Sequence, residues 1–241
     1  LTMIAMSPPS DFTTDRIRDE KVKVLRSLRP INYSNVHDTT VRGQYTSGYV
    51  QGKLVPGYLE EEGANKNSRT ETFVSIRVDI DNWRWVGVPF YLRTGKRLPN
   101  KCSEVVVYFK QPALNLFQDS YQQLPQNKLT IRLQPDEGMD IQILNKVPGL
   151  DHKHRLQTTK LNLSFTNTFN QEHQADSYKR LLLETMRGIQ ALFVRCDEVE
   201  EAWKWVDSII AAWKAVNDVP QPYQAGTWGP RASVAMITRD G

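Results

Sequence analysis

At 241 residues, with 39% hydrophobic and 24% charged residues, the chain is long enough to bury a full core and has the make-up of an ordinary globular domain. No apolar run approaches the roughly 18 residues that cross a bilayer, and no signal-peptide succession opens the chain, so no membrane partner and a cytoplasmic location are expected. The net charge of +4 tolerates an anionic ligand, but 31 basic residues diluted by 27 acidic ones are too mild an excess to argue for nucleic acid.

The chain opens on LTMIAMSPPSDF, which reads as the end of an apolar helix broken by Pro8 and Pro9; a fragment whose start lies upstream of Leu1 is expected. Thr13 or Thr14 then caps a helix with Asp15 in its first turn, on which Ile17, Val24, Leu25 and Leu28 recur at helical spacing until Pro30. From Ile31 to Ser68 the chain is polar and Gly-rich, with a short strand near Val41 to Tyr45 and then an irregular surface segment. Glu60, Glu61 and Glu62 read as a solvated acidic turn, because no histidine or further carboxylate sits at metal-ligand spacing.

From Thr72 the pattern alternates: Val74, Ile76, Val78 and Ile80 point one way and Ser75, Arg77, Asp79 and Asp81 the other, a half-buried strand. Two apolar runs, Val88 to Leu92 and Val105 to Phe109, flank a segment holding Gly95, Pro99 and Asn100, the pattern of two strands joined by a loop. That loop is cationic. Arg93, Lys96, Arg97 and Lys101 converge on one short segment, which suits a phosphate; the competing reading is a solvated, edge-protecting loop tip.

Leu129 to Gln134 and Asp140 to Ile143 alternate around the turn Pro135 to Gly138, and Leu156 to Phe165 supplies a further strand. Tyr178 to Leu192 marks one amphipathic helix. Asp197, with Glu200 three residues on, caps another that carries Trp203, Trp205 and Trp213 and ends before Pro220; packing in the core is the preferred reading of its tryptophans. Strands in succession followed by helices make the fold class α+β: a large, mostly antiparallel or mixed sheet with helices packed on one face.

No GxGxxG follows a strand, no P-loop is complete, and Cys102 and Cys196 read as free thiols. Of the histidines His37, His152, His154 and His173, only the run Asp151 to His154 has a metal-like spacing. Without a partnering cysteine it reads as an exposed turn, so no metal is expected.

The segments IRDEKVKVL from Ile17, VRGQY from Val41, GYLEEEG from Gly57, NWRWVGVPFYLRTGKRL from Asn82, LTIRLQPDEG from Leu129, YKRLLLETMRG from Tyr178 and EAWKWVDSI from Glu201 together resemble the glucose-6-phosphate dehydrogenase family, bacterial type. The resemblance covers essentially the whole chain, in the family's order. It implies that residues 1–241 are most of the family's large C-terminal α+β domain, which binds substrate and dimerises. The implied reaction is oxidation of glucose 6-phosphate to 6-phosphogluconolactone, with hydride passing to NADP.

The family's substrate lysine falls on Lys96, its second cation on Lys101 and a substrate-side glutamine on Gln134. The family's coenzyme domain, its HYxGK motif and its catalytic histidine have no counterpart among these residues, so the chain alone is expected to be inactive. Arg93 matches a contact of a second, structural NADP found in some relatives. Cys102, Val106, Gln142 and Trp228 stand where those relatives carry cations, and no structural NADP is expected. A homodimer is implied, with a tetramer of dimers as the alternative. Two other classes stay open: a non-catalytic phosphosugar-binding or dimerisation module, which would bind without turnover, and a weak nucleic-acid binder using the basic hairpin, which would bind any polyanion with steep salt dependence and which the lack of an aromatic and basic stripe disfavours.

Overall fold

The computed structural model describes residues 1–149, 155–169, 177–190 and 192–239. In chain order these form α1 (Thr2–Ala5), α2 (Thr14–Arg26), α3 (Val36–Thr39), β1 (Thr40–Thr46), β2 (Gly48–Val50), β3 (Lys53–Val55), β4 (Phe73–Val78), β5 (Phe90–Gly95) and β6 (Ser103–Tyr108). There follow β7 (Lys128–Gln134), β8 (Gly138–Lys146), β9 (Leu156–Ser164), α4 (Phe165–Phe169), α5 (Ser177–Met186), α6 (Cys196–Ala215), β10 (Gln221–Gln224) and α7 (Arg231–Thr238). The expected α+β class holds. The run Asp151 to His154, and with it His152, His154 and His173, lies outside the described residues. Among the described residues no helix is long and apolar enough to cross a membrane.

The chain divides into two compact units, Leu1–Pro99 with Ser177–Gly241, and Asn100–Asp176. In the first, a four-stranded sheet has the order β10-β1-β4-β5, with β10 parallel to β1 and the other pairs antiparallel. Strand β4 is central and both its faces are covered. Val78 packs with Val24 of α2 and with Leu28 just beyond that helix, and Val74 and Ile76 pack with Ile209 and Trp213 of α6. On the opposite face Phe73 and Ser75 are fully buried, where Gly229 and Pro230 lead into α7. The alternation expected of β4 is present, but its second face is not solvated, because a central strand here has a helix start on that side as well.

Helix α2 ends at Arg26, and Leu28 bridges Ile80. Helix α6 starts one position earlier than its expected cap: Glu198, the third residue of the helix, accepts the Arg195 N–H at 3.0 Å, while Asp197 pairs with the Arg195 side chain at 2.7 Å. Of its three tryptophans, Trp213 is buried and donates its indole N–H to Thr40 Oγ1 at 2.9 Å, Trp205 donates to the Arg29 carbonyl, and Trp203 is exposed.

The strands expected to form a hairpin at the cationic loop are β5 and β6, and they do not pair with each other. Strand β5 pairs with β4 and β6 with β7, in separate sheets. The connection Lys96 to Cys102 exceeds the roughly two to five residues that set a hairpin register, and both strands find their partners elsewhere along the chain.

In the second unit β6, β7, β8 and β9 form an antiparallel meander in that order. The register aligns Leu129, Ile141 and Leu161 across one face and Thr130, Asp140 and Asn162 across the other. The apolar face leaves Leu161 61% and Leu133 50% exposed. On the polar face Asp140 is buried between Arg132, which forms a short ion pair with it, Asn162, and Lys160 at 3.0 Å.

The Arg132 guanidinium, helped by Lys160 and Asn162, holds the Asp140 carboxyl down to about 2. A folded pKa below the unfolded one gives stability that is present above the unfolded value near 4 and is lost as pH falls towards 2. D140N is therefore expected to cost about 2 kcal/mol at neutral pH, a gap that closes between about pH 4 and pH 2 in urea titrations. A gap independent of pH would reject this account.

Candidate functional site

Lys96 follows directly on β5, and its main chain is fixed from both sides. Its N–H donates to the Thr72 carbonyl at 2.8 Å, and its own carbonyl accepts the Tyr223 hydroxyl at 2.7 Å. Gly95 precedes it because a Cβ there would lie 2.7 Å from the Phe73 ring. The Lys96 ammonium has no hydrogen bond or ion pair among the described residues, and the residue borders a cavity of about 570 Å³ bounded also by Tyr45, Tyr58, Thr72 and Arg97.

Arg97 adopts a left-handed backbone, with φ at 53°. Its guanidinium donates to Glu61 at 2.8 Å and stands 6.0 Å from the centroid of the Tyr45 ring, while the Tyr45 hydroxyl donates to the same Glu61 oxygen at 3.0 Å. Arg97, ahead of Tyr45, holds the Glu61 carboxyl below its ordinary range. The acidic turn read as solvated is thus structured: Glu61 ties down the residue after Lys96, and Glu60 accepts the Gly57 N–H at 2.8 Å. Arg93, the other cation of this segment, lies 5.4 Å from the centroid of the Trp228 ring. Of the cations expected to converge, Lys96 is the one in this unit whose head group is left without such a partner.

Lys101 and Gln134 belong to the second unit. Lys101 is exposed two residues before β6, and Gln134 is the last residue of β7, opposite Ser103. The register therefore brings these two to one end of that sheet. Among the described residues no three His, Cys, Asp or Glu side chains are grouped to hold a metal ion.

The residues that position Lys96 were not singled out from the sequence. Thr72 precedes the β4 alternation and Tyr223 sits between two glutamines after Pro222, where neither hydropathy nor charge marks them. The detectable signal was the tyrosine itself: a lone aromatic in a polar, proline-flanked run has an apolar body that needs cover and a hydroxyl that needs a partner.

Comparison with known proteins bears on what this arrangement serves. A family profile described as glucose-6-phosphate dehydrogenase, C-terminal domain, matches residues 1–241. Glucose-6-phosphate 1-dehydrogenase of Dickeya dadantii (strain 3937) is 84% identical over 241 residues, covering 100% of this chain and 49% of the relative. The protein of the same name from Buchnera aphidicola subsp. Schizaphis graminum is 55% identical over 242 residues, again covering 100% of this chain and 49% of the relative.

A solved structure described as glucose-6-phosphate dehydrogenase in complex with its substrate glucose-6-phosphate superposes with a TM-score of 0.87 at 32% identity, covering 100% of this chain and 47% of the other. The chain spans about half the length of the curated relatives it matches. A profile that matches every residue from first to last, joined to this level of identity, settles the family: the chain belongs to the glucose-6-phosphate dehydrogenase C-terminal domain family.

Proposed function

We propose that residues 1–241 are the substrate-binding and dimerisation domain of a dehydrogenase that oxidises glucose 6-phosphate to 6-phosphogluconolactone, with NADP accepting the hydride. The observation that carries this reading is the whole-chain match to relatives of that name, one of them solved with glucose 6-phosphate bound. Lys96, Lys101 and Gln134 are the substrate ligands. Ammonium groups donate charge-assisted hydrogen bonds to the oxygens of a phosphosugar, and an amide side chain can accept from a sugar hydroxyl as well as donate. The free head group of Lys96 supports this role, since it needs no competing partner displaced.

In the reaction a hydride leaves C1 for NADP and the C1 hydroxyl proton passes to a general base. Coenzyme and base are assigned to polypeptide outside these residues. A second, structural NADP is not assigned: Cys102, Val106, Gln142 and Trp228 provide no cation for its phosphates, and the Arg93 guanidinium is engaged by the Trp228 ring.

The exposed apolar face of the second sheet, with Leu133, Ile141, Leu161 and Leu163, supports a homodimer, and the enzyme is assigned to the cytoplasm. The full-length polypeptide is expected to form NADPH from NADP only when glucose 6-phosphate is present, read by absorbance. Binding of the sugar phosphate with no NADPH formed would overturn the catalytic reading.

A further inference from the structure

Three hydroxyl and amide groups meet behind Lys96 in a directional chain. The Tyr45 N–H donates to Thr72 Oγ1 at 3.0 Å, and Thr72 Oγ1 lies 3.2 Å from Tyr223 Oη. Each hydroxyl has one proton to give. Because the phenol gives its one proton to a main-chain carbonyl, Thr72 is the donor in its contact with the phenol oxygen. The phenol proton then goes to the Lys96 carbonyl at 2.7 Å, in preference to the Thr72 carbonyl at 3.3 Å.

Tyr223 is 4% exposed, and burial pushes its hydroxyl above the ordinary phenol range, so the donor proton is retained throughout the working range of an enzyme. Its ring is set by Phe73 and Tyr45, at centroid distances of 5.6 and 6.4 Å.

The consequence concerns a side chain that Tyr223 does not touch. The Lys96 ammonium finds no partner among the described residues, so what the fold fixes is the main chain from which its side chain starts. Two hydrogen bonds fix that main chain, one of them from Tyr223. We propose that Tyr223 is a positioning residue for substrate binding, aiming Lys96 at the phosphosugar through the Lys96 carbonyl. This rests on the reading of Lys96 as a substrate ligand. A long, flexible cation aimed in advance loses less freedom when it binds, and misplacement of a ligand by a fraction of an ångström is enough to weaken the contact.

The test is steady-state kinetics of the full-length enzyme carrying Y223F, T72V, K96A and the double variant Y223F/K96A, with T40V as a control that removes a buried hydroxyl elsewhere in the same sheet. Y223F removes one oxygen and keeps the ring. It is expected to raise KM for glucose 6-phosphate about five- to tenfold while kcat and KM for NADP stay within about twofold.

T72V unhooks the donor chain without altering the tyrosine, and is expected to raise the same KM about two- to threefold. In the K96A background, Y223F is expected to add nothing. T40V should lower thermal stability and leave KM for glucose 6-phosphate in place.

An unchanged KM in both Y223F and T72V overturns the inference, as does an equal Y223F effect with and without Lys96. If K96A itself leaves KM unchanged, the reading of Lys96 fails and Tyr223 falls with it. If K96A raises KM and Y223F does not, Lys96 stands and only the role of Tyr223 is lost.

Discussion

Replacing Lys96 by alanine in the full-length polypeptide is expected to lower kcat/KM for glucose 6-phosphate by roughly 10- to 100-fold. A hydrogen bond to a charged group contributes about 1.5–3 kcal/mol, and each 1.4 kcal/mol is tenfold. The cost is expected in full because the two other cations of this segment in the same unit are engaged: Arg97 is held by Glu61 and Arg93 by the face of Trp228. Moving either would break an existing contact.

K96R keeps the charge on a planar, wider head group and is expected to recover part of the loss but not all of it, since a bifurcated guanidinium cannot reproduce a point ammonium. KM for NADP should stay within about twofold in both variants. An alanine variant with the parent's kcat/KM would remove Lys96 from the site. A variant that loses affinity for glucose 6-phosphate and NADP alike would point to general damage.

The reason Lys96 was visible from the sequence and its supports were not is physical. A cluster of Arg and Lys around Gly95 announces an electrostatic property that survives any choice of strand pairing, and family motifs attach to the same residues. Tyr223 reaches the Lys96 carbonyl across 127 residues of chain, a contact that exists only because β10 lies parallel to β1.

Strand β10 itself was hidden. Pro220 reads as a helix terminator, and QPYQ has no apolar alternation; proline is nonetheless admissible on an edge strand, where one side needs no ladder donor. The same limit applied to β5. Its apolar run marked a strand but carried nothing to say that β4, rather than β6, would be its neighbour. Helices α2 and α6 were legible because period 3.6 records one buried face, and strands β7 to β9 because period 2 separates an apolar face from a polar one. Strand β4 was legible as a strand and misread as half-solvated, since a serine facing inward, Ser75, looks in sequence like one facing water.

Phe73→Ala is the substitution expected to cost most in stability, about 3–5 kcal/mol, with a melting temperature lower by roughly 10–15 °C. Phe73 is 1% exposed, lies opposite Gly95 in the β4–β5 pair and meets the Tyr223 ring of β10. Two glycines shape its pocket. A Cβ on Gly229, whose φ is +96°, would come within 2.3 Å of the ring, and one on Gly95 within 2.7 Å.

At these two positions the wall is bare backbone, with no side chain to swing into a void. The cavity left by alanine should therefore stay open, which places the cost towards the upper part of the range. A loss below about 2 kcal/mol would mean that the sheet collapses into the gap and that this packing is softer than its geometry implies. The ring also sets Tyr223 at 5.6 Å, so the same variant should lose the aim of Lys96. Below its melting point F73A is expected to raise KM for glucose 6-phosphate at least as far as Y223F does. Y223F, which keeps the ring and removes only the oxygen, should leave the melting temperature within about 5 °C of the parent. The two variants thereby separate the packing of this corner from the single hydrogen bond it supports.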